Sequence, residues 1–245
     1  MTLHVIASGS AGNCYTIDDG KSELMLDCGV PIGDIKKAMM FDFTRIKACL
    51  LTHSHADHSK AAADLCKAGI DVYMSMGTAM EIGTKSHRIK IISPEGPLLN
   101  IGGCWDICPF VVKHDTAEPF GYWIRSVSTK ERLIYLTDSA YAPYIFSGLD
   151  YILVECNHDY ESLDSNAATG VITPGHRLRV MQNHFSLENC IYFIGATMKH
   201  TGKLKKIVLL HASKNNANAK KMIREIQAAT GVVTEMAVAG GAIVL

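Results

Sequence analysis

The sequence predicts an α/β fold, read as a single domain over residues 1–245 with two similar halves. Three observations carry this. Short apolar runs alternate with segments of helical spacing along most of the chain. Several of those runs end on a lone histidine or aspartate, where open α/β sheets place their sites. A chain of 245 residues, 48% of them hydrophobic, can also build one substantial core.

The elements follow in order. "LHVIA" reads as a strand, "SGSAGN" as a glycine-rich turn, and "CYTID" and "ELMLDCG" as strands, the last ending at Asp27. Pro31 opens the helix "PIGDIKKAMM", a favourable first-turn position for proline. "IKACLLT" is a short apolar strand, and "SKAAADLCKAG" has helical spacing with a glycine stop. "IKIIS", "CWDICPFVVKH", "FGYWIRS" and "ERLIYLTD" read as strands. "DYILVECNHD" is a strand running into polar residues, while residues 161–180 show no clear pattern. "SLENCIYFIGATMKH" looks helical and "KKIVLLHAS" is a strand. "NANAKKMIREIQAATG" is an amphipathic helix ending at Gly231, and "MAVAGGAIVL" reads as buried strand.

Composition narrows the function classes. Lys+Arg and Asp+Glu balance at 24 each, so nucleic-acid binding would need a local basic patch. The N-terminus shows no export signal, and no apolar run approaches the roughly 18 residues that span a bilayer. Eight scattered cysteines then point to the reducing cytosol and a cytoplasmic protein. Cys104 and Cys108 read as packing residues on an alternating strand, and the other cysteines as small buried hydrophobes.

One stretch carries chemistry: "LLTHSHADHSKAAADL" places His53, His55, Asp57 and His58 within six residues. Imidazole nitrogen and carboxylate oxygen suit divalent zinc, manganese or iron. Alternate residues of an extended segment point the same way, so His53 and His55 can share one ion. Asp57 and His58, where the chain turns into a helix, can face a second. Four donors cannot complete two sites. Three further candidates end apolar strands: His114 after "PFVVK", Asp138 after "LIYLT" and His211 after "KIVLL".

The order of "LDCG", "THSHADH", "KHD", "LTDSA" and "LLHAS" resembles the metallo-β-lactamase superfamily over nearly the whole chain. "SGSAGN", "KHDTAEPFGY", "VECNHD" and "LLHASKNN" further resemble the YycJ/WalJ group of cytosolic phosphodiesterases, proposed to act as exonucleases on DNA and related to ribonuclease Z. The resemblance implies a four-layer αββα sandwich with two divalent metal ions, zinc first, manganese or iron next. It implies that His53, His55 and His114 bind one ion, and Asp57, His58 and His211 the other. Asp138 would bridge them with a water or hydroxide, and Asp27 would steady the cluster.

The implied reaction is metal-dependent hydrolysis of an ester bond, by a phosphodiesterase or nuclease of exonuclease type. Asp57 would orient the nucleophile. Two residues are candidates for protonating the leaving group. Glu155 matches the ribonuclease Z glutamate at the end of a comparable strand, and His184 its histidine at a helix start. His158, Arg177 and Arg179 are candidate substrate contacts; a structural loop histidine and a solvated basic loop are the plain alternatives. The "SGSAGN" amides could meet an anion, or simply form a turn. The implied partner is a nucleic acid or nucleotide phosphodiester, with no membrane; a homodimer is compatible with the sequence.

Three other readings compete. A thioester hydrolase of glyoxalase II type and a cyclic-nucleotide phosphodiesterase could use the same metal centre. A metal-stabilised binding module would need metal to fold but would turn nothing over. A secreted β-lactamase is disfavoured by the missing export signal and the lack of a cysteine ligand.

Overall fold

The glycine-rich turn at residues 8–13 separates two antiparallel strands, β1 (Thr2–Ala7) and β2 (Cys14–Asp18). A computed structural model describes residues 1–202 and 204–245. They group into two units. The first comprises Met1–Val111, Thr116–Arg132 and Val238–Leu245; the second comprises Val112–Asp115 and Leu133–Ala237.

In the first unit, β3 (Glu23–Leu26) lies antiparallel to β2. Then β4 (Ile46–Leu50), β5 (Val72–Met74) and β6 (Ile89–Ile91) add in parallel. Four helices connect these strands. They are α1 (Ile32–Ala38), α2 (Ala56–Ser59), α3 (Ala62–Lys67) and α4 (Met76–Ile82). The C-terminal strand Ala242–Val244 pairs antiparallel with β1 at the far edge. Cys14, Met25, Cys28, Cys49, Leu51 and Leu65 belong to one buried cluster in this unit. A meander follows: β7 (Leu99–Ile101), β8 (Trp105–Val111) and β9 (Phe120–Ser126).

The second unit is built on four parallel strands. They are β10 (Arg132–Leu136), β11 (Tyr151–Glu155), β12 (Lys206–Leu210) and β13 (Val233–Met236). Helices α5 (Tyr160–Ala168), α6 (Pro174–Asn183) and α7 (Leu187–Met198) join β11 to β12, and α8 (Ala219–Thr230) joins β12 to β13. All residues of β11 are buried, as parallel strands covered on both faces require.

Four expectations need correction. Residues 161–180 are not patternless loop but α5 and most of α6. Their starts are capped by Asp159, accepting from Ser162 N, and by Thr173, accepting from His176 N, with Pro174 next. The helix expected after the histidine cluster is broken into α2 and α3. Cys104 lies just before β8, and β8 is buried on both faces rather than alternating. The C-terminal "AIV" is an edge strand in which Ile243 alone is buried.

Candidate functional site

The first unit carries His53, His55, Asp57 and His58 on the segment leaving β4. His55 is the N-cap of α2, which puts Asp57 and His58 in its first turn. Neighbouring backbone holds this segment. Thr52 O accepts from Phe120 N at 2.9 Å, and Leu51 O accepts from the Tyr122 hydroxyl at 2.5 Å. Asp57 O accepts from Asn13 N, and His58 O from Cys28 N, both at 2.7 Å. Gly29 is required by this contact: a Cβ there would lie 1.6 Å from the Asp57 carbonyl oxygen.

The three imidazoles gather. Ring centroids of His53 and His55 are 4.9 Å apart, and those of His53 and His58 are 4.2 Å apart. Asp27, fully buried, accepts from Thr52 N at 2.8 Å and lies 2.8 Å from His58 Nδ1. A carboxylate on Nδ1 fixes that tautomer and directs the Nε2 lone pair away from it, as metal-ligating histidines require. Asp57 Oδ2 lies 3.7 Å from Nε2, and Asn13 Nδ2 lies 3.0 Å from it.

The second unit gathers His114, Asp138, Glu155, His184 and His211. His114 Nδ1 donates to the Asn183 carbonyl at 3.1 Å, so its Nε2 carries the lone pair, 3.8 Å from Asp138 Oδ2. Burial lowers the His114 pKa, against Asp138, which raises it, so the neutral ligand form is favoured. Asp138 Oδ1 is hydrogen-bonded to His211 Nδ1 and accepts from Thr137 Oγ1 at 2.9 Å. Burial would lower His211, but Asp138 and Glu155 together hold it at about 10. Donor atoms of Asp138, Glu155, His184 and His211 all lie within 4.8 Å of one another, close enough to share an ion.

Glu155 is completely buried. Its Oε1 is 2.6 Å from His184 Nδ1 and 3.3 Å from His211 Nδ1; its Oε2 accepts from Ser139 N and Phe185 N at 3.0 and 3.2 Å. Burial would raise this carboxyl, and Asp138 adds to that, yet His184 and His211 hold it at about 2. In return, Glu155 and Asp138 raise His184 against the lowering effect of burial. His184 is expected at a helix start, but it is the C-cap of α6; the next helix, α7, begins after its N-cap Ser186.

Three candidate site residues have backbones in the left-handed region: Asp27 (φ 54°), Asp138 (φ 42°) and His211 (φ 49°). Each costs about 1 kcal/mol or more, a strain that tends to collect at functional sites.

The candidate substrate contacts Arg177 and Arg179 are engaged elsewhere in the second unit. Arg177 Nε donates to Asp164 at 2.7 Å, and an Arg179 guanidinium nitrogen to Asp115 at 3.4 Å. Both lie on α6 rather than on a basic loop. His158 is 1% exposed, and neither ring nitrogen has a hydrogen-bond partner among the described residues. Burial lowers its pKa to about 4. The "SGSAGN" turn satisfies itself: Gly12 N donates to Gly9 O, and Gly9 N to the Asn13 side chain.

Sequence reasoning missed Asn13, Gly29, Thr52, Ser139 and the Asn183 carbonyl. Asn13, Gly29, Thr52 and Ser139 stand inside the quoted motifs "SGSAGN", "LDCG", "THSHADH" and "LTDSA". The Asn183 contact depends on folded geometry.

The family model described as the metallo-β-lactamase superfamily matches residues 7–177. An exodeoxyribonuclease WalJ of Streptococcus pneumoniae serotype 2 (strain D39 / NCTC 7466) is 29% identical over 232 residues, covering 89% of this chain and 83% of that protein. An exodeoxyribonuclease YycJ of Bacillus anthracis is 30% identical over 239 residues, covering 91% and 87%. The crystal structure of the metallo-β-lactamase-fold protein YhfI from Bacillus subtilis superposes with a TM-score of 0.73 at 18% identity, covering 99% of each chain. The expected fold class, α+β of the metallo-β-lactamase type, is thereby met. With a family match over most of its length and a 30% identical relative, this chain belongs to the metallo-β-lactamase superfamily.

Proposed function

We propose that this chain is a metal-dependent hydrolase of phosphodiester bonds in nucleic acid, an exonuclease-like enzyme working as one domain. Two relatives at 29% and 30% identity bear the name exodeoxyribonuclease. The observation that carries the chemistry is the pairing of fully buried Glu155 with the partly exposed His184. Glu155, held at about 2 by His184 and His211 against burial, raises the His184 pKa and so favours the imidazolium. His184 Nδ1 is taken by Glu155, so the proton offered to a leaving alkoxide sits on Nε2. A thiolate leaves without such help, so the pair favours phosphate esters over a thioester.

Within this reading, His53, His55, Asp57 and His58 of the first unit and His114, Asp138 and His211 of the second would serve as ligands of divalent ions. The donor chemistry fits: His114 and His58 are each bonded through Nδ1, to a carbonyl and a carboxylate. Imidazole-rich donors favour zinc. Bound divalent ions lower the pKa of water and offset charge on the phosphate. Asp57, partly exposed, orients the attacking water. The cytosolic setting stays part of the proposal, supported by eight free cysteines, six of them buried.

The test is a substrate panel of single-stranded DNA, duplex ends, precursor tRNA, cyclic nucleotides, bis(p-nitrophenyl) phosphate and a thioester, with metal analysis of the purified protein. Chelator-sensitive phosphodiester cleavage is expected. Thioester cleavage without phosphodiester cleavage would overturn the reading, as would full activity in Asp57→Ala.

A further inference from the structure

The second unit holds a cavity of about 420 Å³ that the hydrolytic residues do not use. Its size falls within the roughly 300–1,000 Å³ of small-ligand sites. Tyr141, Tyr144, Ile145, Phe185, Asn189 and Tyr192 line it, and no lining residue carries a formal charge. The floor is aromatic and fixed. Phe185 and Phe193 are buried with ring centroids 5.8 Å apart; Phe193 meets Phe146 at 6.3 Å, and Phe146 meets Tyr144 at 6.2 Å. The rim is open: Tyr141 is 55% exposed, Ile145 60% and Tyr192 74%. Large apolar side chains left open around a cavity mark a binding surface.

The same chain segments build this cavity and the acid pair. Phe185 follows His184, and its N–H donates to Glu155 Oε2. Ser139 N donates to the other side of that oxygen, while Ser139 Oγ donates to the Tyr141 carbonyl at 2.8 Å. A ligand in the cavity is therefore coupled in position to Glu155 and His184. The lining excludes a phosphate, which would need cations or a nest of amides. It suits a flat, neutral π-system with polar edges: faces from tyrosine, and an amide from Asn189.

We propose that this cavity is a nucleobase subsite, in which an unpaired base of the substrate strand stacks on the tyrosine rim next to the linkage being cut. The proposal rests on the phosphodiesterase reading above and names its substrate as single-stranded nucleic acid. Stacking tolerates every base, because each has a π-face. It also supplies affinity that a chain with balanced charge cannot draw from phosphate contacts alone.

The experiment uses two phosphorothioate-linked deoxyoligonucleotides, one carrying 2-aminopurine at its end and one abasic there, each labelled for anisotropy. They are titrated against the purified holoprotein and against Tyr144→Ala, Tyr192→Ala and the double variant. Cleavage of the matching phosphodiester strands is measured in parallel. Wild type should bind the base-bearing strand about tenfold or more tighter than the abasic one and quench its fluorescence. Each alanine variant should lose about tenfold on the base-bearing strand only, and Tyr192→Phe should restore it. Unchanged melting temperatures separate this from misfolding.

Equal affinity of wild type for both strands would overturn the subsite, even if both are cleaved. Base-dependent binding with no cleavage of any phosphodiester would sink the hydrolase reading and leave the subsite standing. If Tyr192→Ala instead converts a dimer to a monomer, with no base dependence in either form, the face is a contact between two copies and the proposal fails.

Discussion

Nδ1 of His184 lies 2.6 Å from Oε1 of Glu155, and each residue shifts the other's proton equilibrium. The carboxylate is fully buried, and its other oxygen receives two backbone N–H groups. This geometry holds the imidazole in place and favours its charged form.

The first prediction concerns leaving groups. His184→Ala should slow a substrate with an alkoxide leaving group by about 10²–10⁴-fold, the usual contribution of a positioned acid. It should slow p-nitrophenolate release far less, since that group leaves unprotonated. Equal slowing of both substrates would remove His184 from the role of proton donor.

Glu155→Gln gives the companion test through pH. With Glu155 present, the His184 pKa is raised above its ordinary value against the lowering effect of burial, which favours the acid form. Removing the negative charge leaves burial as the main influence, and burial lowers an imidazole pKa. The alkaline limb of kcat on an alkoxide substrate should then move to lower pH. A limb that stays in place, with only the rate reduced, would mean that Glu155 supports the fold without setting the proton.

Gly29 and Asp57 make the second structural relationship worth testing. The Asp57 carbonyl occupies the space of a Gly29 side chain, 1.6 Å from where Cβ would stand. Neither partner can yield: one is backbone between β3 and α1, the other the first turn of α2. Gly29→Ala should cost about 3 kcal/mol or more, at the upper end of overpacking effects. Urea unfolding would read this directly, and metal content should fall with it. A variant as stable as wild type, with full metal content, would show that the loop can shift.

What the sequence disclosed tracks the physical origin of each feature. The histidine cluster was legible because β4 is a short apolar run and the donors follow it within a few residues. His114, Asp138 and His211 were legible for the same reason, each standing shortly after a strand. Helices α5 and α6 were not, because each buries only one residue, Leu163 and Val180. With so little apolar face, their periodicity is silent, and only the caps Asp159 and Thr173 mark their starts. The ribonuclease Z resemblance places His184 at a helix start, whereas it closes α6 as its C-cap. Asn183 O on His114 and Ser139 N on Glu155 are backbone groups, which any residue type could supply.

Asp27 and His58 provide the fourth prediction. Thr52 donates to Asp27 Oδ1, while Oδ2 faces His58 Nδ1 at 2.8 Å. In Asp27→Asn, the oxygen can keep Thr52 and the NH2 must face His58. His58 then has to turn its lone pair to Nδ1 and carry its proton on Nε2, the wrong tautomer for a ligand at Nε2. Asparagine also tolerates the left-handed backbone at φ 54°. This variant should keep its fold yet bind metal about 10–100-fold more weakly, the usual effect of losing such a partner. Competition with a chelator of known affinity measures it. Wild-type affinity in Asp27→Asn would mean that the carboxylate does not orient His58.

His158 offers a prediction independent of metal. Its ring is buried, its two nitrogens have no hydrogen-bond partner among the described residues, and its pKa falls to about 4 from 6.5. A histidine with a lowered folded pKa is kept neutral by the fold, so the unfolded chain binds more protons between the two values. Its contribution is fully present above about 6.5 and is lost as pH falls toward 4. At about 1.36 kcal/mol per pKa unit, this one residue should cost the protein about 3 kcal/mol across that window. His158→Phe fills a similar volume, cannot titrate and leaves no polar atom buried. Its unfolding free energy, measured by urea at pH 7.5 and pH 4.5, should fall less between the two conditions than that of wild type. Equal losses in both proteins would mean that the imidazole reaches a proton-bonding partner, such as water, when it charges.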